Sequence, residues 1–168
     1  MITTPPNPTD AHSGAQPLAP KRRQLIATRG LPASGKSTWA REQLDADTDG
    51  HLVRCNRDDL RRMLHGRPRY DPVSEAVVTI AQRAMLAELL FRGYSVIIDD
   101  TNLDPDHLHA LKHLAAAYDV GFAVQDFTHV AVEQCIDRDR KRPGDRRVGE
   151  AVIRRMHDQW LAHIREPS

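Results

Sequence analysis

Gln24-Leu25-Ile26-Ala27-Thr28-Arg29-Gly30-Leu31-Pro32-Ala33-Ser34-Gly35-Lys36-Ser37-Thr38 is the stretch that decides the fold. Leu25, Ile26 and Ala27 make an apolar run long enough for one buried strand, and Gly30 through Ser37 fill every defined position of a phosphate-binding loop. Gly30 and Gly35 permit the torsions that let successive N–H groups converge on phosphate oxygens. Lys36 opens a helix whose positive dipole end faces the anion, and its ammonium can reach the β- and γ-phosphates. The Ser37 hydroxyl is suited to Mg²⁺, and Ala33, Ser34 and Thr38 complete the expected nucleotide-binding set. Strand before, helix after and all positions filled predict a site for ATP or another nucleoside triphosphate.

Composition sets the bounds around that loop. A chain of 168 residues with 40% hydrophobic and 28% charged residues fits a single ordinary globular domain. Net charge of +1 is too small to mark a nucleic-acid binder, so any basic site must be local. Cys55 and Cys135 lie far apart without CxxC spacing, which fits free thiols in a reducing compartment. No apolar stretch reaches the length of a membrane span and the N-terminus lacks a leader pattern, so the expected location is the cytoplasm, with no membrane partner. Residues 1–20, interrupted by Pro5, Pro6, Pro8, Pro17 and Pro20, read as a flexible arm before a domain over 21–168.

The helix from Lys36 should end near Leu44, with Trp39 packing under the loop. Asp45-Ala46-Asp47-Thr48-Asp49-Gly50 imitates the start of an EF-hand, but the twelfth position is Asn56 rather than a bidentate Glu, so it reads as a solvated turn. Leu52–Cys55 is a second short strand, followed by a helix that Asn56 can cap, with Leu60, Met63 and Leu64 as its buried face. Arg54, Arg57, Arg61, Arg62, Arg67 and Arg69 make this region basic in a way that suits phosphodiesters. Pro72 opens a long helix, read from Val73 to about Arg92 with Val77, Ile80, Ala84, Ala87 and Leu90 toward the core.

Tyr94 to Ile98 form a third strand ending in Asp99-Asp100. An acid at the carboxyl end of such a strand lies beside the phosphate loop, close to Mg²⁺. A helix over Pro105–Tyr118 carries His107, His109 and His113, expected to be exposed. A fourth strand over Val120–Phe127, a helix over Val132–Arg140 and a final helix over Val152–Ile164, with Ile153, Met156, Trp160 and Ile164 inward, complete the chain. Alternating strands and helices predict an α/β fold with a parallel sheet of about four strands and helices on both faces. The arginine-rich, glycine-broken stretch over 138–147 lies where a lid belongs.

Five stretches together, GLPASGKSTWA, NRDDLR, IIDDTNL, the RDRKR of residues 138–142 and the IRRMHDQW of residues 153–160, resemble the 5′-kinase domain of phage-type polynucleotide kinases. The resemblance runs over about residues 24–164 and implies a P-loop kinase fold. It implies ATP and Mg²⁺ as cofactors and DNA or RNA 5′-hydroxyl ends as partners. Lys36 and Ser37 match the family's phosphate and Mg²⁺ contacts. Asp58 matches its general base and Arg61 the arginine on the acceptor phosphate, with Arg57 in the same basic stretch as a further substrate contact. Asp100 and Thr101 match the acid and hydroxyl near metal and acceptor, and Arg138 and Arg142 match lid arginines, Arg142 clamping ATP. Gly149 stands where the family often has proline, which is expected to loosen the start of the last helix. The chain stops at Ser168, so kinase activity without a 3′-phosphatase is expected. The competing readings are a kinase for a small molecule or a hydroxymethylated base, and a non-catalytic nucleotide switch. Aromatic content of 5% predicts recognition through the backbone rather than through base stacking.

Overall fold

The computed structural model describes residues 23–163, so the proline-rich arm and Ile164 lie outside the described residues. Four parallel strands form one sheet: β1 (Gln24–Arg29), β2 (Leu52–Cys55), β3 (Ser95–Ile98) and β4 (Gly121–Asp126), in the order β2-β3-β1-β4. β1 sits centrally, with Ile26 opposite Ile97 on β3 and opposite Ala123 on β4. This is the α/β P-loop kinase fold. Strands this short and buried read as continuous apolar runs, which is why β1 and β3 stand out in the sequence.

The helices are α1 (Lys36–Asp45), α2 (Arg57–His65), α3 (Pro72–Phe91), α4 (Pro105–Ala117), α5 (Val132–Arg140) and α6 (Glu150–Trp160), with one 3₁₀ turn at Gly144–Arg146. Their starts follow local chemistry. Asn56, Asp71 and Asp104 each accept a backbone N–H from the first turn that follows, and Pro72 and Pro105 occupy the first helical positions where no N–H is needed. The Asp45–Gly50 stretch is an exposed turn in which the Asp47 carboxylate accepts from Leu52 N–H at 2.8 Å, steering the chain into β2.

Two apolar clusters hold the domain. One joins Leu25, Ala27, Val96 and Ile98 of the sheet to Leu60, Val78, Leu86, Leu90, Leu111 and Ala115 of the helices. The other lies under the phosphate loop and lid, where Leu31 and Leu103 meet Cys135, Ile136, Ile153 and Leu161.

Two helices are phased differently from the sequence reading. On α2 only Leu60 is buried, while Met63 is 69% exposed and Leu64 is exposed as well. On α3 the inward stripe is Ser74, Val78, Gln82, Leu86 and Leu90. Of the residues expected inside, Leu90 is buried and Ala87 half-buried, whereas Val77, Ile80 and Ala84 face outward. The cause is polar burial. Ser74 bonds the Asp71 side chain and Gln82 bonds both Arg57 and Asp100, so two polar residues occupy core positions and an apolar stripe faces solvent. Leu86→Ala should therefore destabilise the protein by about 3 kcal/mol, while Ile80→Ala should change stability by under about 0.5 kcal/mol. Urea unfolding of the two variants measures the difference, and the reverse order would mean that the helix is turned.

Candidate active site

The phosphate loop leaves β1 at Gly30. A Cβ there would stand 2.9 Å from the Phe127 Cβ and 3.0 Å from Ser34 Oγ, so glycine is required for the close approach. The Gly30 N–H donates to the Thr101 carbonyl at 2.9 Å, tying the loop to the segment after β3. Ala33 (φ 63°) and Gly35 (φ 110°) take left-handed torsions, and α1 begins with no side-chain cap. Its first N–H groups are thus left to an anion. Lys36 Nζ donates to the carbonyls of Gly30 and Leu31 at 2.9 and 2.6 Å. Burial pushes its pKa down to about 8, opposed by the nearby Asp99 carboxylate.

Asp99 faces the loop from β3. Its Oδ1 accepts from Ser37 Oγ at 3.1 Å, and its Oδ2 is gripped by Arg54 Nε and Nη2 at 2.7 and 2.6 Å. Asn56 Nδ2 donates to the Asp99 carbonyl. A buried carboxylate beside a serine hydroxyl, with space for phosphate oxygens, is the hard-oxygen set that Mg²⁺ selects. Among the described residues no group of three or more His, Cys, Asp and Glu could hold a metal alone. The residues fit a Mg²⁺ that arrives with a polyphosphate.

Asp99 bonds Ser37, whereas Asp100, expected near the metal, faces Arg57 and Gln82. Successive residues project to opposite sides of an extended chain, so one of the two acids had to turn away. Asp100 Oδ1 accepts the Arg57 N–H and its Oδ2 accepts from Gln82 Nε2, both at 2.9 Å, and burial raises its pKa. From there a polar chain runs along α2 and α3. Arg57 Nη1 donates to Gln82 Oε1 at 3.1 Å and its Nη2 to Glu75 at 2.8 Å. Arg61 binds both Glu75 oxygens at 2.5 and 2.9 Å and Asp58 at 2.6 Å, and stacks over Tyr70. Bonded by two guanidinium groups, Glu75 is held at a pKa of about 2. Asp59 bonds Arg54 at 2.6 Å and so backs the Arg54–Asp99 pair.

The lid follows α5. Arg138 Nη1 donates to the Ser34 carbonyl at 3.3 Å, and Arg142 lies 3.4 Å from Asp139. Asp139 is buried and accepts the N–H groups of Val148 and Gly149 at 2.9 to 3.2 Å, joining the two ends of the lid. Gly149 has φ 93° and donates from its own N–H, neither of which proline allows. The start of the last helix is therefore pinned there, not loosened. Arg138 and Arg142 border a pocket with Gly35, Ser37, Thr38 and Trp39, and Trp39 meets Phe127 edge-on with ring centroids 6.3 Å apart.

A second cleft of about 300 Å³ opens beyond Asp100. Arg57, Asp100, Thr101, His107, Met156 and Trp160 are among the residues that line it. His107 is half-buried rather than exposed, and burial followed by the charge of Arg57 lowers its pKa. Asn102 shapes the wall from a strained backbone (φ 43°), its Nδ2 donating to the Thr28 carbonyl at 2.7 Å. Asp58 stands exposed on α2, salt-bridged to Arg61.

Residues 25–167 match the AAA domain family. The chain belongs to that family. Two solved structures of a Pnkp1/Rnl/Hen1 complex, one described as an RNA repair complex, contain chains similar to this family member. One is 30% identical over 77% of this chain with a TM-score of 0.63, and the other 29% identical over 88% with a TM-score of 0.66. The matches take in 42% and 47% of those chains, so this chain spans less than half their length. A gluconokinase from Sinorhizobium meliloti 1021, 19% identical over 86% of this chain and 81% of its own with a TM-score of 0.54, shares the fold. No helix among the described residues is long and apolar enough to cross a membrane.

Glu75, Gln82 and Asp139 were not singled out from sequence, while Asp99 was offered only together with Asp100 and Arg54 only as part of a basic stretch. Glu75 and Gln82 sit where a helix reading assigns polar residues to solvent, and only the pairing across α2, α3 and β3 shows their use. Two outcomes follow. Arg54→Ala leaves Asp99 buried without its partner, so stability should fall by about 3 kcal/mol in urea unfolding, and a loss below about 0.5 kcal/mol would contradict the pairing. An anion in the loop raises the lowered pKa of Lys36 again, so ATP binding should take up protons at pH 8.5. ATP affinity should then fall as pH rises past about 8. Calorimetry in two buffers of different ionisation heat reads the uptake, and zero uptake would mean that Lys36 does not meet the phosphates.

Proposed function

We propose that this protein transfers the γ-phosphate of ATP to the 5′-hydroxyl end of DNA or RNA. The observation that carries the reading is the adjacency of two clefts. The phosphate loop with its lid arginines and the cleft beyond Asp100 meet at the Asp99-Asp100 step, with Gly30 and Thr101 hydrogen-bonded between them. A hydroxyl held against Asp100 and Thr101 faces the end of a nucleotide whose phosphates lie in the loop.

The residues divide the work. Gly30, Ala33, Ser34, Gly35 and Thr38 supply the backbone cradle, and Lys36 meets the β- and γ-phosphates with its ammonium. Ser37 and Asp99 would hold Mg²⁺, which when bound neutralises phosphate charge. Arg138 and Arg142 reach the same pocket from the lid and offset the charge that develops on the transferred group. Arg57 and Arg61 present the basic face for the acceptor strand, with Glu75 fixing both. Asp58 takes the proton of the acceptor hydroxyl as its oxygen bonds to the γ-phosphorus and the bond to the leaving ADP oxygen breaks. Similarity to the Pnkp1/Rnl/Hen1 chains supports a nucleic-acid acceptor. Cytoplasmic location fits such a reaction and the two free, buried cysteines.

The test is labelling of 5′-hydroxyl oligonucleotides, free nucleosides and gluconate from γ-labelled ATP. Labelling of gluconate or a free nucleoside in preference to every oligonucleotide would overturn the reading. Asp58→Asn should keep ATP affinity and lower single-turnover transfer by about 10²-fold or more, and undiminished transfer would remove Asp58 as the base. Arg142→Ala should slow transfer about 10³-fold. Arg140→Ala should be mild, because Arg140 is occupied on the surface by Asp137 and Glu150. Equal, small effects at both positions would reduce the lid to a solvated loop.

A further inference from the structure

The geometry points to a nucleobase seat on the apolar lining of the acceptor cleft, in which Trp160 stacks the first base of the acceptor strand beside Met156 and His107. This rests on the polynucleotide reading and refines it, because aromatic content alone predicts recognition without stacking.

The cleft joins polar and apolar lining. Asp100, Thr101 and Arg57 supply polar groups, with the Thr101 carbonyl bonded to Gly30 of the phosphate loop, where a hydroxyl would react. Met156 and Trp160 of α6 and His107 of α4 line the same cleft. Trp160 and Met156 rest on the cluster of Leu103, Ile153 and Leu161, yet both stay partly exposed toward the cleft. A side chain braced from behind and open in front is a rigid platform, and every base offers it a π-face. His107 sits in a site that disfavours its charged form, so it can donate from one ring nitrogen and accept at the other, matching the mixed edge of a base. A sugar acid carries hydroxyls throughout and has no face for the apolar lining. A nucleoside has both: a hydroxymethyl carbon for the polar groups and a flat ring for the apolar ones. The seat thereby sorts acceptors by chemical class while tolerating any base.

The experiment compares a 5′-hydroxyl oligonucleotide with the same strand carrying a tetrahydrofuran abasic unit at its first position. For the unaltered protein KM should rise about tenfold or more on loss of the base, with kcat little changed. Trp160→Phe should keep that preference. Trp160→Leu should bring the two KM values together and leave the KM for ATP where it was. A purely structural role for Trp160 would instead move both acceptors and ATP alike. Transfer to both strands at equal KM by the unaltered protein overturns the base seat and leaves the kinase reading standing. Absence of transfer to either strand overturns the kinase reading and the base seat with it. Should Trp160→Leu fail to fold, the comparison within the unaltered protein decides by itself.

Discussion

A carboxylate with no exposed surface has to be balanced, and Asp99 is balanced from two directions: Ser37 from the phosphate loop and Arg54 from β2. Arg54 is in turn held by Asp59, and the Asp99 main chain by Asn56, the residue that caps α2. One buried charge therefore fixes the loop, the edge strand and the start of α2 relative to one another. Removing a partner from such a pair costs more than the pair contributes when intact, so the arrangement is cooperative. The lid has a comparable centre in Asp139, whose carboxylate gathers the N–H groups at the far end of the lid.

What was legible in the sequence is what depends on neighbours along the chain. Gly30-to-Ser37, the apolar runs of β1 and β3, the prolines at Pro72 and Pro105 and the cap at Asn56 carry local reasons for their structure, and each element stands within a few residues of its expected bounds. The phase of α3 depended on partners across space. With apolar residues at 73, 77, 78, 80, 86, 89 and 90, the helix has two stripes that could face inward. Only the bonds of Gln82 to Arg57 and Asp100 select the one that does. The choice between Asp99 and Asp100 has the same character: both acids end the same strand, and the side facing Ser37 is set by the sheet.

The network from Asp100 through Gln82, Arg57 and Glu75 to Arg61 and Asp58 holds α2 to α3 more firmly than an isolated basic helix would be held. Long arginine side chains lose much rotamer freedom when they bind, and here that loss is taken on folding. Arg61 is bonded to Glu75 and Asp58, so its charge is held in place rather than carried on a searching side chain. Asp58, exposed beside it, ends the network at the surface.

The hydrogen bond from Gly30 to the Thr101 carbonyl joins the two loops that meet at the seam, and Asn102 seals the same place by bonding the Thr28 carbonyl. Drift in either loop would break a main-chain contact that no side-chain replacement restores. The other walls of the cleft beyond Asp100 come from α4 and α6. Residues joined at this seam border both the phosphate loop and the cleft beyond Asp100, so a change that opens it alters the two together and neither can be reshaped alone through it.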